Sequence, residues 1–562
     1  MKKELVWLIG GEAGEGIMVS GRILAKTATR AGLHIFAYPE YPSLIRGGHN
    51  SFQVRVNQEK VGNPASKIDL LVALNQETID LHLPDLNPQA GIIFDSQLEA
   101  KGPFSLFPIP LNELASKAGE KILRNTIALG ASLAAMGGDL AHFQKILEEE
   151  FGSKGEAIVK SNCLAAQLGF EFFNKNFKPL DFQFKGSSEN LICLNGNEAL
   201  ALGAIAADCK FYCAYPMTPV SSILHFLAVH GPKFGMMVKQ AEDEISVINS
   251  VIGAAFAGAR AMTATSGGGF CLMSEAISLA GMTETPIIIV EGQRPGPATG
   301  LPTWHEQGDA AFVLNVGHGD FPRIVLAPRN IEECFYLSFE AFNIAERFRN
   351  PVIILVDKLL CESFASAARF KTDSLQIGRG KLIFQAPSGY KPYEITEDGV
   401  SPRALPGFGE TFLTNSDEHD EFGFSCEESE NRVKMMAKRM KKLKFLHKEL
   451  PEVTLLGDQE PQVTLFSWGS SCGVAEEVAG ALREKGIKAN LLSSPYLRPF
   501  PSESFLSLSS KGKRVSIENN FSSQVSTFVR GETGQDFDLK ITKSDGRPFY
   551  KEEILEQIEK II

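Results

Sequence analysis

Apolar residues along this chain fall into short runs and helical stripes that alternate in three successive stretches. Residues 5–9 are apolar, Gly10-Gly11-Glu12-Ala13-Gly14-Glu15-Gly16 follows, and an amphipathic pattern then continues through Arg30. This spacing predicts a strand, a glycine-rich turn and a helix. Alternating apolar residues at 51–56 and apolar runs at 69–74 and 91–95 predict strands, and helical periodicity dominates from about 111 to 173. Strands alternating with helices predict a mostly parallel sheet. Residues 176–186, rich in Phe, Lys and Pro without clear periodicity, read as a linker.

The second stretch repeats the alternation. Strands are predicted at 192–194, 211–214, 236–239, 261–265, 286–291, 323–327 and 351–357, with helices from Glu198, Val220, Asp243 and Leu272 and over 331–348. That order reads as a doubly wound sheet. From about 364 to 461 the pattern weakens into acidic and glycine-rich loops, closing on the basic run Arg432-Val433-Lys434-Met435-Met436-Ala437-Lys438-Arg439-Met440-Lys441-Lys442-Leu443-Lys444. A third α/β stretch then has a strand at 463–468, a helix at 473–484 and strands near 489–492 and 514–518. The expected division is 1–180, 190–370, a connecting segment 371–455, and 456–562.

A chain of 562 residues exceeds what one core supports, in keeping with several domains. Its net charge of −11 argues against a nucleic-acid or anionic-membrane binder, since both need basic surface. The basic run 432–444, with Met and Leu at helical spacing, is expected to be a solvated helix face, docking to an acidic partner being the alternative. The nine cysteines include no Cys-x-x-Cys pair, so an iron–sulfur cluster or other metal site is expected on a partner rather than on this chain. The apolar run 5–9 is too short for a signal core or a membrane span, and a cytoplasmic protein with reduced thiols is expected.

Candidate chemistry concentrates in the second stretch. In Ala214-Tyr215-Pro216-Met217-Thr218-Pro219-Val220-Ser221-Ser222 two prolines restrict the turn between strand and helix. The hydroxyls of Thr218, Ser221 and Ser222 then fall at a helix N-terminus, where amides and dipole favour an anion such as a carboxylate. Capping by Thr218 or Ser221 is the simpler alternative. Gln240-Ala241-Glu242-Asp243-Glu244 opens the small-residue helix Val251-Ile252-Gly253-Ala254-Ala255-Phe256-Ala257-Gly258, so Glu244 would sit among residues that let a flat ring approach. A carboxylate there needs a hydrogen-bonded partner or takes up a proton. An acidic first turn complementing the helix dipole is the plain reading. Thr265-Ser266-Gly267-Gly268-Gly269-Phe270 follows a strand, and its glycines permit close approach by a ligand or another chain.

These strings, with Arg294-Pro295-Gly296-Pro297-Ala298-Thr299-Gly300-Leu301-Pro302-Thr303 and Asp545-Gly546-Arg547-Pro548-Phe549 in the same order, resemble the alpha subunit of the 2-oxoacid:ferredoxin oxidoreductases. The closest resemblance is to the 2-oxoglutarate type, in which a gamma domain is fused in front. It implies a multidomain α/β chain: a gamma domain, a thiamine-pyrimidine-binding doubly wound parallel sheet, and a transketolase C-terminal-like α/β domain. It also implies oxidative decarboxylation of a 2-oxoacid, 2-oxoglutarate above all, to acyl-CoA and CO₂ with reduction of ferredoxin. Thiamine diphosphate would be shared with a beta subunit. That subunit would hold Mg²⁺ and a 4Fe–4S cluster, because this chain has no Gly-Asp-Gly segment with a downstream Asn. Coenzyme A would be the co-substrate, ferredoxin would dock through the partner subunit, and neither nucleic acid nor membrane would be a partner.

The same resemblance implies the roles of single residues. Thr218 would contact the 2-oxoacid carboxylate with Ser222 beside it, and Glu244 would be the catalytic acid at N1′ of the aminopyrimidine, Glu242 and Asp243 being the nearby alternatives. Thr265 and Ser266 would neighbour the cofactor. Trp304 stands where some members of the family place a substrate-pairing Arg, and an indole does not replace a bidentate guanidinium; His305 is the adjacent residue that would partly compensate. Tyr38-Pro39-Glu40-Tyr41-Pro42-Ser43-Leu44-Ile45-Arg46-Gly47-Gly48-His49-Asn50 resembles the gamma-domain motif linked to coenzyme A access, where Arg46 and His49 either meet phosphates or pin the loop. Glu12 and Glu15 would repel a diphosphate, so the N-terminal glycine loop makes a poor dinucleotide site. Tyr496-Leu497-Arg498-Pro499-Phe500-Pro501 and Glu518-Asn519-Asn520 are expected to organise domain and subunit contacts. The rival readings are a redox-independent thiamine enzyme subunit and a catalytically silent assembly subunit.

Overall fold

The computed structural model describes residues 2–44, 47–186 and 190–562. The chain forms two compact units, residues 1–195 with 362–369, and residues 196–361 with 370–562.

The first unit is built on an eight-stranded sheet with the spatial order Ser105–Ile109, Leu86–Asp95, Ile68–Ala73, Glu4–Glu12, His49–Asn57, His34–Glu40, Phe364–Ala368 and Leu191–Asn195. The central strand Glu4–Glu12 is an unbroken apolar run because both of its faces are covered. Leu5, Trp7 and Ile9 join a cluster with Ile23, Leu24, Ile127 and Leu133 from two helices, while Leu8 joins Leu71, Ile79 and Ile92 on the other face. Trp7 is fully buried and donates its indole N–H to Ser132 Oγ at 3.1 Å, so its single polar atom is satisfied.

This sheet is mixed, where the strand–helix alternation led us to expect a mostly parallel one. Glu4–Glu12, Ile68–Ala73, Leu86–Asp95 and Ser105–Ile109 pair in parallel. The remaining neighbours pair antiparallel. The reason is connectivity: His34–Glu40 and His49–Asn57 follow one another with no helix between them, which permits only antiparallel pairing. The strand expected at 192–194 for the second stretch lies instead at the edge of this sheet, next to Phe364–Ala368, which returns from far along the chain.

Among the described residues the second unit contains two main sheets and a two-stranded pair, Leu382–Ile383 with Arg403–Ala404. The larger runs Tyr496–Arg498, Ile324–Leu326, Val352–Asp357, Ile288–Gln293, Ala261–Thr265, Phe211–Ala214 and Met237–Gln240. Its pairings are parallel except at the Tyr496–Arg498 edge. The smaller runs Thr454–Gly457, Ala489–Ser493, Val463–Phe466, Lys513–Glu518 and Leu539–Thr542, parallel except for its first strand. In such sheets the loops after the carboxyl ends of the strands gather on one edge, which is where ligands bind. Here they are the loops 215–220 and 294–309 and, between Ala261–Thr265 and the helix Gly267–Met282, the single residue Ser266.

The basic run lies on the helix Ser429–His447, where Arg432, Lys434, Lys441 and Lys444 are exposed as expected but a second stripe is not solvated. Met435, Lys438, Arg439, Lys442 and Leu446 are buried along one stripe. Lys438 and Lys442 both reach the buried carboxylate of Glu284, Lys442 at 2.7 Å, and Arg439 donates to Glu418 at 3.0 Å. The long aliphatic stems supply apolar packing while acids distant in sequence take up the charges. Among the described residues, no helix is long and apolar enough to cross a membrane.

Candidate active site

The loop after Phe211–Ala214 brings Thr218 to the carboxyl edge of the larger sheet. The helix Ser221–His230 begins after Val220 with no side-chain cap, so neither Thr218 nor Ser221 serves as one. Buried Asn197 ties the turn down by donating to Pro219 O and to Ser222 Oγ, both at 2.7 Å. The hydroxyl of Ser222 therefore holds the loop together. Thr218 is half-buried, and its carbonyl accepts an N–H from Arg294 at 2.9 Å.

The three neighbouring acids separate by position. Glu242 and Asp243 are exposed, and Asp243 is the N-cap, accepting from Ser246 N at 2.7 Å. Helix capping is thus done by Asp243, and Glu244 is left for something else. Glu244 is only 4% exposed, and its Oε1 has no hydrogen-bond partner among the described residues.

What lies against Glu244 is the Gly-rich turn. A Cβ built on Gly269 would stand 2.2 Å from Thr265 Oγ1 and 2.5 Å from Glu244 Oε1, so only glycine fits there. Thr265 and Ser266, at the end of Ala261–Thr265, are fully buried and their hydroxyls are also unpartnered. Each unsatisfied buried polar atom costs about 1–3 kcal/mol, so three on adjoining elements mark a place suited to a polar ligand.

The loop 294–309 closes the edge. Leu301 N donates to Pro295 O at 3.0 Å and Trp304 N to Leu301 O at 3.1 Å, folding the segment back on itself. Gln307 fastens it to the C-terminal stretch: its side chain donates to Asp357 Oδ2 at 3.0 Å and accepts from Ser471 Oγ at 2.9 Å and Asn519 N at 3.1 Å. Asn520 donates to Gln307 O at 3.2 Å. His305 is 1% exposed, with Nδ1 facing Leu359 N and Asp357. Burial pulls its pKa down to about 4 against the opposing pull of Asp357, so the imidazole is neutral and does not make up for the missing cation. Trp304 is half-buried, and the guanidinium of Arg547 lies 3.2 Å from its ring centroid.

In the first unit His49 sits at the start of His49–Asn57, its Nε2 2.9 Å from His82 Nε2, and His82 Nδ1 is 3.3 Å from Asp85. Burial, then His82, lowers the pKa of His49 to about 4. A neutral ring already paired with His82 pins the strand start and offers no charge to a phosphate. Arg46 lies outside the described residues. The glycine loop 10–16 is filled by its own acid, because Glu15 accepts from Glu12 N at 3.0 Å and pairs with Arg124.

Comparison with known proteins gives this geometry a family. Residues 202–438 match the family "Pyruvate flavodoxin/ferredoxin oxidoreductase, thiamine diP-bdg", residues 6–172 match "Pyruvate ferredoxin/flavodoxin oxidoreductase", and residues 453–557 match "Transketolase, C-terminal domain". The chain is 32% identical to a Sulfolobus 2-oxoacid:ferredoxin oxidoreductase subunit alpha, covering 99% of this chain and 97% of that protein. It belongs to the 2-oxoacid:ferredoxin oxidoreductase alpha-subunit family. It is also 30% identical to the 2-oxoglutarate oxidoreductase subunit KorA of Mycobacterium tuberculosis over 98% of this chain and 90% of that one. Among solved structures, the 2-oxoglutarate:ferredoxin oxidoreductase of Magnetococcus marinus, with 2-oxoglutarate, coenzyme A and succinyl-CoA bound, superposes with a TM-score of 0.92, 33% identity and full coverage of both chains.

Thr218, Ser222, Glu244, Thr265, Ser266, Trp304 and His305 all fall within the segment that matches the thiamine-binding family of these oxidoreductases. The open carboxyl of Glu244, the two open hydroxyls and the side-chain-free surface of Gly269 suit an aminopyrimidine, a flat ring that both donates and accepts hydrogen bonds. Three further residues of the edge escaped the sequence reading. Arg294 brings a guanidinium to this edge, donating to the Thr218 carbonyl at 2.9 Å. Glu291 is fully buried at the end of Ile288–Gln293; burial, then neighbouring Asp309, pushes its pKa well above the carboxylate range, so it is a neutral acid. Asp309 is raised as well by burial. The available signal was positional: Glu291 and Gln293 interrupt an otherwise apolar strand at its carboxyl end.

Proposed function

We propose that this chain is the alpha subunit of an enzyme that converts a 2-oxoacid and coenzyme A to acyl-CoA and CO₂, passing two electrons and releasing a proton, with ferredoxin as the acceptor. The observation that carries this reading is the buried Glu244 carboxyl, whose Oε1 has no hydrogen-bond partner among the described residues and lies against Gly269 and Thr265. Thiamine diphosphate, when bound, supplies the electron sink for loss of CO₂. Glu244 holds a proton at the ring nitrogen N1′, and the low-dielectric setting of its helix strengthens that hydrogen bond. Thr265 and Ser266 orient the same ring. Thr218 and Arg294 receive the substrate carboxylate, Arg294 also clamping the Thr218 carbonyl so that the two act as one element.

The chain works with a beta subunit that holds Mg²⁺, the diphosphate and a 4Fe–4S cluster. Support comes from exposed apolar side chains on the elements framing the site, Tyr215, Met237, Ile245, Leu272 and Leu301, which form a surface suited to a protein partner. In functional terms we keep residues 1–180 as the gamma-type part, 190–370 as the pyrimidine-binding part, 371–455 as the connector and 456–562 as the transketolase C-terminal-like part. We place the enzyme in the cytoplasm. 2-Oxoglutarate is the substrate favoured by the names of the relatives.

The test is coenzyme A-dependent reduction of a viologen dye by the copurified complex over a panel of 2-oxoacids, with and without Glu244→Ala. The proposal expects activity in the native complex and its loss in the variant. Full activity in Glu244→Ala would defeat the proposed role.

A further inference from the structure

The loop 294–309 leaves the strand Ile288–Gln293 and comes back to it, and its two ends meet beside a pair of carboxyls. Asp309 N donates to Gln293 Oε1 at 3.1 Å, which joins the last residue of the loop to the residue before its first. The Asp309 side chain lies against the start of the helix Gly267–Met282: a Cβ on Gly267 would stand 2.6 Å from Asp309 Oδ2, so the glycine leaves the space that Asp309 fills. From there Asp309 is hydrogen-bonded to the carboxyl of Glu291, three residues before Arg294.

Glu291 is fully buried, and neither of its oxygens meets a donor among the described residues. A carboxylate in that place would lose its water and gain no hydrogen bond, so the group keeps its proton and donates it to Asp309. Burial raises both acids, but Glu291 and then Arg294 draw Asp309 back down, which makes Asp309 the acceptor. One proton thus serves two carboxyls. Around them, Cys271 on the helix has its thiol raised by burial and then by Asp309, and Glu306 on the loop is pushed up to about 7 by burial, then by Asp309 and Asp545. Asp357, at the end of the neighbouring strand, is taken up by Gln307 at 3.0 Å and Ser470 at 2.7 Å. Arg294 is the cation that acts on both members of the pair, while its own N–H is given to the Thr218 carbonyl.

We propose that Glu291 and Asp309 are positioning residues for the 2-oxoacid carboxylate: the proton held between them satisfies Asp309 and leaves Arg294 to Thr218 and the substrate. The proposal rests on the 2-oxoacid reading above and deepens it. Without a donor at position 291, Asp309 carries a charge that is largely buried and unsatisfied, and it takes Arg294 as its partner. The guanidinium then leaves the Thr218 carbonyl, and the site loses its clamp on the substrate. The effect falls on binding, because the pair touches neither the reacting carbon nor the cofactor.

The copurified complex with its beta subunit is assayed at neutral pH for kcat and KM with 2-oxoglutarate, as wild type, Glu291→Gln, Glu291→Leu, and Glu291→Leu combined with Asp309→Asn. The amide of Glu291→Gln still donates to Asp309, and its KM is expected within threefold of wild type. Glu291→Leu fills the space without a donor, and its KM is expected to rise at least tenfold while kcat changes less than threefold. The double variant removes the charge that captures Arg294, and its KM is expected to fall back at least fivefold from that of Glu291→Leu. A smaller rise in Glu291→Leu, an equal rise in Glu291→Gln, or a double variant no better than Glu291→Leu overturns the proposal, since damaged packing is not repaired by a second substitution. If Glu291→Leu does not assemble, the wild type and Glu291→Gln decide across rising alkaline pH: KM climbs in the wild type as the pair loses its proton and stays level in Glu291→Gln, and parallel profiles overturn the assignment. A wild-type complex that oxidises no 2-oxoacid defeats the underlying reading, whereas an active complex that fails these comparisons defeats the role of the pair alone.

Discussion

Glu244 and Gly269 share one patch of space: the carboxyl Oε1 of the first would lie 2.5 Å from any Cβ on the second. The starts of two helices, Glu244–Phe256 and Gly267–Met282, are thereby committed to each other, and the glycine leaves room for the carboxyl between them.

Gly269→Ala tests that relationship. The methyl meets Glu244 and Thr265 together, so the variant is expected to lose about 1–3 kcal/mol of stability by overpacking and to displace the Glu244 carboxyl. Viologen reduction by the complex should fall at least tenfold while the protein remains folded in thermal denaturation.

Arg294→Gln removes a guanidinium and the clamp on the Thr218 carbonyl. Because this group serves the carboxylate common to all substrates, KM should rise at least tenfold for mono- and dicarboxylic 2-oxoacids alike, seen in steady-state kinetics over the same panel.

The buried group of Glu284, Lys438 and Lys442 governs how the helix Ser429–His447 is held. Burial raises the Glu284 pKa, but Lys438, Lys442 and Arg349 together hold it well below the usual carboxylate range. Its contribution is therefore present above the unfolded carboxylate pKa and lost on strong acidification. Glu284→Ala leaves two lysines without their acid and should cost about 3–5 kcal/mol in denaturant unfolding.

Lys442 also makes stability rise with pH, in a window on the alkaline side. Burial lowers its pKa from 10.5 to about 7, with Glu284 opposing. Between those values the unfolded chain binds the proton that the folded chain has released, so this residue makes stability rise with pH from about 7 to 10.5. Denaturation midpoints across that range should show the rise in wild type and its reduction in Lys442→Met.

His49 acts similarly in the first unit. With its pKa lowered to about 4 from 6.5, the unfolded chain takes up a proton in that window that the folded unit refuses, so stability falls as pH drops through it. Protection factors of the strand His49–Asn57, that is exchange corrected for the intrinsic pH dependence, should fall between those pH values in wild type and less so in His49→Gln.

Much of this architecture was legible in the chain because its cues are local. The apolar helix Ile331–Phe348 and the strand Phe211–Ala214 were marked by periodicity, and the site motifs sat at the ends of predicted strands. What escaped depends on distant partners. Phe364–Ala368 is a strand only because His34–Glu40 and Leu191–Asn195 wait for it in the first unit. Lys438 and Lys442 look solvated until Glu284 is seen beside them, and nothing near Trp304 in sequence announces the guanidinium of Arg547 on its face. Among the three acids at the helix start, the sequence left Glu242 and Asp243 open beside Glu244; burial and the capping bond of Asp243 separate them.

The central claim is that Glu244 governs the reactivity of the thiamine ring from its pyrimidine side. The most direct measurement is the rate at which the C2 proton of thiamine diphosphate bound to the complex exchanges with deuterated water, in wild type and Glu244→Gln, read by NMR after acid quench. The account predicts exchange at least a hundredfold slower in the variant with the cofactor still bound. Equal rates in the two proteins would contradict it.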